Sequence, residues 1–453
     1  MSDSIGVQTP PSPAMRHLIS ARQEAAHIPG LDTSQELPAI RKVGVVGAGT
    51  MGGGIAMNFA NAGLPTVILD ANAAGLERGL DLVRKNYHAT VQKGRLTQTE
   101  MDGRMQLIRG SLREEDLADC DIVIEAVFED MALKQQVMKK LAAVCKPGAI
   151  LATNTSTLDV DQIAAASGRP ADVIGTHFFS PANVMRLLEV VRGARTSAAA
   201  LRSVLELGRR IGKTAVVSGV CYGFIGNRMA EPYMREAEFL LMEGASPAQI
   251  DAAVEDPARV GMAMGPCRML DMAGIDVGAK TLIELGKTGG LPPDPSYRAV
   301  CLALHEQGRF GQKTGSGYYR YEGRKPVAEP ATEQSCIELG RRFGIERRTD
   351  ITPQEIVERL MLPLINEAAR ILEEGIALRP GDIDVVWTAG YGFPEQQGGP
   401  LWMADEWGIA QVVARIEHYA AVTGNRFGYW TPAPLLKALA ERGARISEWT
   451  RAA

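Results

Sequence analysis

The sequence predicts an α/β domain with a largely parallel sheet, followed by two repeated all-α domains. Between Ile40 and Gly219 short β-branched runs alternate with helix-compatible segments, the pattern of a sheet covered by helices on both faces. After Gly219 the strand signal almost vanishes and helical periodicity takes over, which marks a domain boundary. Within the helical part, residues 228–275 are echoed by residues 359–409.

Residues 1–13 are rich in Ser, Pro and Gly and are expected to be disordered. Residues 14–27 (AMRHLISARQEAAH) predict a short helix, and IPGLDTSQELP an extended linker into the first strand. The strands are then read from KVGVVG, TVILD, MQLIRG, DIVIEAV, AILATN, VIGTHFF, RLLEVV and TAVVSG. In the helical part RMAEPYMREAEFLLMEG leads to GPCRMLDMAGI, and RLMLPLINEAARILEEG leads to GPLWMADEWGI. Pro232, Glu236 and Gly244 have the same spacing as Pro363, Glu367 and Gly375. This unit is far longer than a solenoid repeat and reads as a duplicated helical domain. Asp271 and Asp405, which recur in the two copies, read as caps or packing-network residues. The chain thus divides into an arm or linker over 1–39, a sheet domain over 40–218, a first helical domain over 219–330 and a second over 331–453.

The chain has 453 residues, enough for two or three domains, and its 45% apolar and 23% charged residues are those of an ordinary globular protein. Lys plus Arg (49) nearly balance Asp plus Glu (53), so no long-range field favours nucleic acid or an anionic membrane. The six cysteines are scattered without a C-x-x-C pair or a Cys/His cluster, which predicts free thiols and no metal site. The N-terminus has no apolar core behind a basic start, and no run approaches the ~18 to 20 apolar residues of a membrane span. A cytoplasmic protein is expected.

GAGTMG at residues 47–52 fits G-x-G-x-x-G between a strand and a helix, and a second strand ends in Asp70. That order is the dinucleotide fingerprint of a Rossmann-type domain. Gly47 makes the tight turn, Gly49 admits the pyrophosphate, and Gly52 lets the helix pack on the strand. Asp70 would accept hydrogen bonds from ribose hydroxyls and repel a 2′-phosphate, which favours NAD over NADP; the alternative is a cap for the helix beginning near Asn72. DIVIEAVFED ends a strand at the sheet edge where ligands bind, and so puts Glu129 and Lys134 near the nicotinamide half, unless they are only solvated charges.

His177 interrupts the apolar run VIGTHFF, where a lone histidine more often reads as a satisfied core residue, and Glu189, which interrupts LLEVV, shifts the reading towards proton handling. A carboxylate there would be expensive to desolvate alone, and the turn-forming SPAN lets the second run return beside the first. A carboxylate that binds one imidazole nitrogen fixes the tautomer and leaves the other nitrogen for a substrate proton. Asn154 and Ser156 in NTST follow another strand, where Ser156 is either an oxygen-binding group or a turn residue. Asn227 in GFIGNR is either a pocket amide or a helix cap.

With GAGTMGGGIA, EAVFED, NTST, THFFSPANVMRLLEVV, GFIGNR and GQKTGSGYYRY in this order, the chain resembles the L-3-hydroxyacyl-CoA dehydrogenases. The likeness is greatest to the dehydrogenase part of the multifunctional fatty-acid β-oxidation proteins. The resemblance implies NAD-dependent oxidation of an L-3-hydroxyacyl-CoA to the 3-oxoacyl-CoA. It makes His177 the general base, Glu189 its orienting partner, and Ser156 and Asn227 the groups around the reacting oxygen. It also implies coenzyme contacts from Gly47, Gly49, Thr50, Met51, Gly52, Asp70, Ala126, Glu129, Lys134 and Asn154, with no metal. A non-catalytic NAD-binding structural protein of the same fold is the alternative. Only about 40 residues precede the glycine loop, so hydratase activity is not expected. The second helical copy takes the place of the partner that single-function relatives recruit by dimerising, so a monomer is expected to suffice. Association with a separate thiolase or hydratase follows from the resemblance by analogy.

Overall fold

A computed structural model describes residues 10–31, 34, 36–287 and 289–451. The expected disorder of residues 1–13 falls mostly on residues outside this set. The chain separates into two compact units, one comprising Ala21–Asn227 with Glu374–Leu378, the other Met1–Ser20, Arg228–Glu373 and Arg379–Ala453.

After the helix α1 (Pro13–Ala25), the first unit carries β1 (Val43–Val46), β2 (Thr66–Leu69), β3 (Ile108–Ser111), β4 (Ile122–Glu125), β5 (Ile150–Thr153), β6 (Val173–Phe178), β7 (Leu187–Val191) and β8 (Thr214–Ser218). All eight expected runs are strands of one sheet, ordered β3-β2-β1-β4-β5-β6-β7-β8. β1 to β6 are parallel, β7 returns antiparallel to β6, and β8 follows β7. The order reverses between β1 and β4, the crevice where doubly wound sheets bind ligands. Helices α2 (Thr50–Asn61), α3 (Ala73–Gln92), α4 (Gln98–Gln106), α5 (Met131–Val144), α6 (Val160–Ala166) and α7 (Ala198–Arg210) connect the strands. Strand residues pack into two apolar clusters: Val45, Ile68, Ile124 and Ile174 lie in one with Ile55 and Phe59, and Val46, Val67, Val123 and Leu151 lie in the other with Met138 and Leu141. Neighbouring strand residues thus feed opposite faces, as the period of two requires.

The second unit is helical: α8 (Gly226–Glu243), α9 (Pro247–Glu255), α10 (Pro266–Ala273), α11 (Ile275–Lys287), α12 (Ala299–Glu306), α13 (Pro330–Phe343), α14 (Pro353–Glu374), α15 (Pro380–Gly390), α16 (Pro400–Trp407), α17 (Ile409–Thr423) and α18 (Pro434–Arg442). The all-α expectation needs one correction, because β9 (Arg320–Glu322) and β10 (Lys325–Val327) form a small antiparallel ribbon. Three-residue strands are too short for an alternating pattern to show in sequence.

The duplication is a physical symmetry. Arg228 of the first copy donates to Glu367 of the second at 2.7 Å, and the matching Arg359 donates to Glu236 of the first at 3.0 and 3.1 Å. Reciprocal contacts of this kind are the signature of a two-fold interface, here formed within one chain. Each copy also holds a buried aspartate against the start of a Gly-Pro helix. Asp251 accepts from the Cys267 and Arg268 amides of α10, and Asp384 accepts from the Leu401 amide of α16. A Cβ on Gly265 or Gly399 would come within 2.3 Å of Asp251 or Asp384, respectively, so both positions exclude any larger residue. Asp271 and Asp405 anchor later backbone in both copies, through Tyr318 and Tyr319 in one and Ile446 and Ser447 in the other. At the first of these aspartates, Asp251 and Asp384, the copies differ in one partner. Asp251 Oδ2 takes the Tyr319 hydroxyl at 2.8 Å, whereas Asp384 Oδ2 lies 2.8 Å from Nε2 of His17 on the N-terminal helix, whose ring stacks on Trp402.

Burial pushes the carboxyls of Asp251 and Asp384 up to about 6 from the ordinary 3.8, against the pull of their hydrogen-bond donors. An acid whose folded value is raised contributes its full stability below the unfolded value and loses it as pH rises through the folded one. Urea unfolding of the wild type should therefore show stability falling between pH 4 and pH 6.5. In D251N/D384N the fall should be smaller by roughly 2 to 3 kcal/mol per carboxyl; an unchanged slope refutes the assignment.

Candidate active site

β1 ends at Val46, and the chain turns through Gly47 with φ of +101°. A Cβ on Gly47 would lie 2.7 Å from the Ala126 carbonyl, and one on Gly52 only 1.8 Å from the Gly47 carbonyl, so both glycines are required by packing. Gly49 differs: no atom lies within 4 Å of where its Cβ would stand, so the protein's own packing does not require a glycine there. Thr50 and Met51 open α2 with no side chain capping its N-terminus, which leaves backbone N–H groups for an anion. Asp70, just beyond β2, accepts from the Ala48 amide at 2.9 Å and the Asn72 amide at 3.2 Å. The cap of α3 is Asn72, which accepts from Gly75.

At the end of β4 two acids meet one buried lysine. Glu125 accepts from Lys134 Nζ at 2.7 Å, from the Thr153 hydroxyl at 2.7 Å and from the Val127 amide at 2.8 Å. Lys134 is 1% exposed, and its ammonium also reaches Glu129 at 3.4 Å. Glu129 gathers the NTST loop, accepting from the Thr155 hydroxyl, the Ser156 amide and hydroxyl, and the Thr157 amide. Partial burial pushes the Glu129 carboxyl up, but Lys134 and these donors outweigh it and hold it below the ordinary value. The Ser156 hydroxyl, expected at a substrate oxygen, is engaged by Glu129. Asn154 accepts from the Phe178 amide at 2.9 Å and so ties the end of β5 to the end of β6.

His177 and Glu189 face each other across the antiparallel β6–β7 pair, in direct register. His177 Nδ1 donates to Glu189 Oε2 at 2.7 Å, and the two residues are 6% and 0% exposed. The other carboxylate oxygen accepts from the Gly226 amide at 2.8 Å and the Ile225 amide at 3.2 Å, where α8 begins. Three donors offset the cost of removing this carboxylate from water. The rings of Phe179 and Phe224 pack 4.3 and 5.8 Å from the imidazole centroid. Asn227 directly follows the amide that holds Glu189.

Residues 42–221 match the family model described as 3-hydroxyacyl-CoA dehydrogenase, NAD binding domain. Residues 223–321 and again 356–447 match that of the 3-hydroxyacyl-CoA dehydrogenase, C-terminal domain. The chain belongs to the 3-hydroxyacyl-CoA dehydrogenase family. It is 43% identical over 423 residues to the peroxisomal bifunctional enzyme of Danio rerio, a match covering 90% of this chain and 58% of that one. The chain thus spans about three-fifths of the length of such relatives. Among solved structures, 3-hydroxybutyryl-CoA dehydrogenase from Escherichia coli superposes with a TM-score of 0.78 at 26% identity, covering 90% of this chain and 99% of that one. FadB2 of M. tuberculosis is 35% identical with a TM-score of 0.58, covering 63% of this chain and all of that one.

As a 3-hydroxyacyl-CoA dehydrogenase family member, the chain carries an NAD-binding domain, and its glycine loop fits a dinucleotide: open space at Gly49 and an uncapped helix N-terminus. Sequence reasoning missed Glu125 and Thr153, although Glu125 carries the signal that singled out Glu189, a carboxylate inside an apolar strand. It also missed the Ile225 and Gly226 amides, since backbone donors leave no mark in a sequence.

Gly49 has φ of −66°, which alanine adopts freely. Gly49→Ala changes the N-cap of α2 and should cost about 1 kcal/mol of stability or less, yet weaken NADH binding at least about tenfold in a fluorescence titration. Gly52→Ala should destabilise the domain before binding is measured. Equal NADH affinity in Gly49→Ala and wild type would refute the open-cradle reading.

Proposed function

We propose that the chain catalyses NAD-dependent oxidation of an L-3-hydroxyacyl-CoA to the 3-oxoacyl-CoA in fatty-acid β-oxidation. The observation that carries this is the His177–Glu189 pair, buried and hydrogen-bonded within a dinucleotide-binding unit. With Nδ1–H committed to Glu189, Nε2 is the nitrogen left to accept the substrate hydroxyl proton, and Glu189 stabilises the imidazolium that results. NAD⁺, when bound, accepts the hydride from C3. Asn227 is assigned to the reacting oxygen. Ser156 joins it once the substrate draws its hydroxyl from Glu129. Gly47, Gly49, Thr50, Met51 and Gly52 are assigned to the pyrophosphate, Asp70 to the adenosine ribose, and Ala126, Glu129 and Asn154 to the nicotinamide half. Lys134 serves that half by holding Glu129, since its own ammonium is buried.

The same reading makes the chain able to work as a monomer, because the Arg228–Glu367 and Arg359–Glu236 pairs supply within one chain what a dimer interface would. Light scattering that finds only dimers joined through these helical faces would count against it. A cytoplasmic location and association with a thiolase or hydratase subunit also belong to this proposal. No described helix is long and apolar enough to cross a membrane, and the Danio rerio relative is named for the peroxisome; cell fractionation decides the compartment.

His177→Gln should lower kcat for acetoacetyl-CoA reduction by roughly 10² to 10⁴ while NADH binding survives. Turnover unchanged in this variant would overturn the assignment. Asp70→Ala should relax discrimination against NADPH; an unaltered NADH to NADPH ratio of kcat/KM would remove Asp70 from the ribose site.

A further inference from the structure

Residues 179–186 connect β6 to β7, and their eight residues exceed the two to five of an ordinary hairpin loop. A segment of this length beside the imidazole needs restraint from outside itself. Within the loop the Val184 and Met185 amides turn back onto the Pro181 carbonyl. Ala182 is almost fully buried, and a Cβ on Gly54 of α2 would stand 3.1 Å from its own Cβ. The Ala182 carbonyl then takes two donors, the side-chain Nδ2 of Asn58 on α2 at 3.0 Å and Lys213 Nζ at 2.6 Å. The same ammonium donates to the Met185 carbonyl at 2.6 Å and lies 5.8 Å from the Phe178 ring centroid.

Lys213 stands between α7 and β8, half-buried, and spends its charge on two backbone carbonyls. Burial alone accounts for its perturbation, which brings it from 10.5 down to about 8. The ammonium meets the two loop carbonyls and the Phe178 ring, none of which titrates. A charged donor makes a hydrogen bond roughly twice as strong as a neutral one, so an ammonium is an effective peg for a loop that has few bonds of its own.

We propose that Lys213 is a positioning residue for the dehydrogenase reaction: it pegs the 182–185 loop to the sheet unit, and thereby fixes Phe179 against the His177 ring. The inference rests on the function proposed above. Phe179 is the first loop residue, and its ring tilts onto the imidazole at 4.3 Å. Release of the loop frees that contact and lets the ring drift from the direction that Glu189 sets.

The test measures acetoacetyl-CoA reduction, NADH affinity and pH profiles for wild type, Lys213→Met and Lys213→Arg. Lys213→Met should lower kcat about tenfold to a hundredfold, the cost of a small misplacement of a reacting group, with NADH affinity unchanged. Lys213→Arg, which keeps a charged double donor, should recover kcat to within about threefold. In the oxidation of L-3-hydroxybutyryl-CoA, where His177 must be unprotonated and gives no alkaline limb of its own, the wild-type kcat should fall above pH 8, and in Lys213→Arg this alkaline limb should move upward. Wild-type kcat in Lys213→Met, or an alkaline limb unmoved in Lys213→Arg, overturns the proposal; the second measurement stands even if the methionine variant does not fold. A wild-type protein that binds NADH but has no turnover overturns the dehydrogenase reading, and this inference with it. An active wild type matched by Lys213→Met overturns this inference alone.

Discussion

The carboxylate of Glu189 is the constraint on which the candidate site depends. It is fully buried in the sheet and would be costly there without partners. One oxygen holds the His177 ring, and the other holds the two amides at which α8 begins. A single group therefore fixes the imidazole's tautomer and direction and also the start of the helix that carries Asn227. The antiparallel pairing of β7 with β6 is what makes this geometry possible. In register, residue 177 lies opposite residue 189, and a slip of one residue would turn the carboxylate to the other face of the sheet.

The same economy recurs at the end of β4, where one buried lysine is shared between Glu125 and Glu129. Glu125 keeps the ammonium inside the protein, and Glu129 uses what remains of its field to gather the NTST loop. Buried ions of this kind contribute position more than net stability, because their attraction is largely offset by desolvation. The helical unit gives two of its buried acids, Asp251 and Asp384, to the N-termini of α10 and α16. At these two aspartates the copies differ in a further donor, Tyr319 for Asp251 and His17 for Asp384. A donor from the N-terminal helix thus completes the second copy, as a donor from the ribbon segment completes the first.

Much of this was legible in the amino-acid order. All eight strands of the sheet were readable because β-branched runs bounded by glycine and polar turns leave little else for the backbone to do. The helix over residues 14–27 lies within a residue or two of Pro13–Ala25, and the duplication was visible in the Pro, Glu and Gly spacing. The β9–β10 ribbon was not, since three-residue strands fall below any periodic signal. Ser156 was legible as a residue type, but its engagement with Glu129 was not.

The sequence by itself determined which ionisable residues lie inside apolar strands. An ionisable side chain set inside an apolar run must find a partner, and His177, Glu189 and, unnoticed, Glu125 all bear that mark. It also determined the glycine loop, because only glycine tolerates the backbone at residue 47 and the closeness at residue 52. Tertiary structure alone decided the partners. Whether a buried carboxylate meets an imidazole, a lysine or a helix's first amides depends on strand register and on where distant elements begin. The two carbonyls bound by Lys213 lie about 30 residues away in the chain, and backbone carbonyls carry no letter of their own.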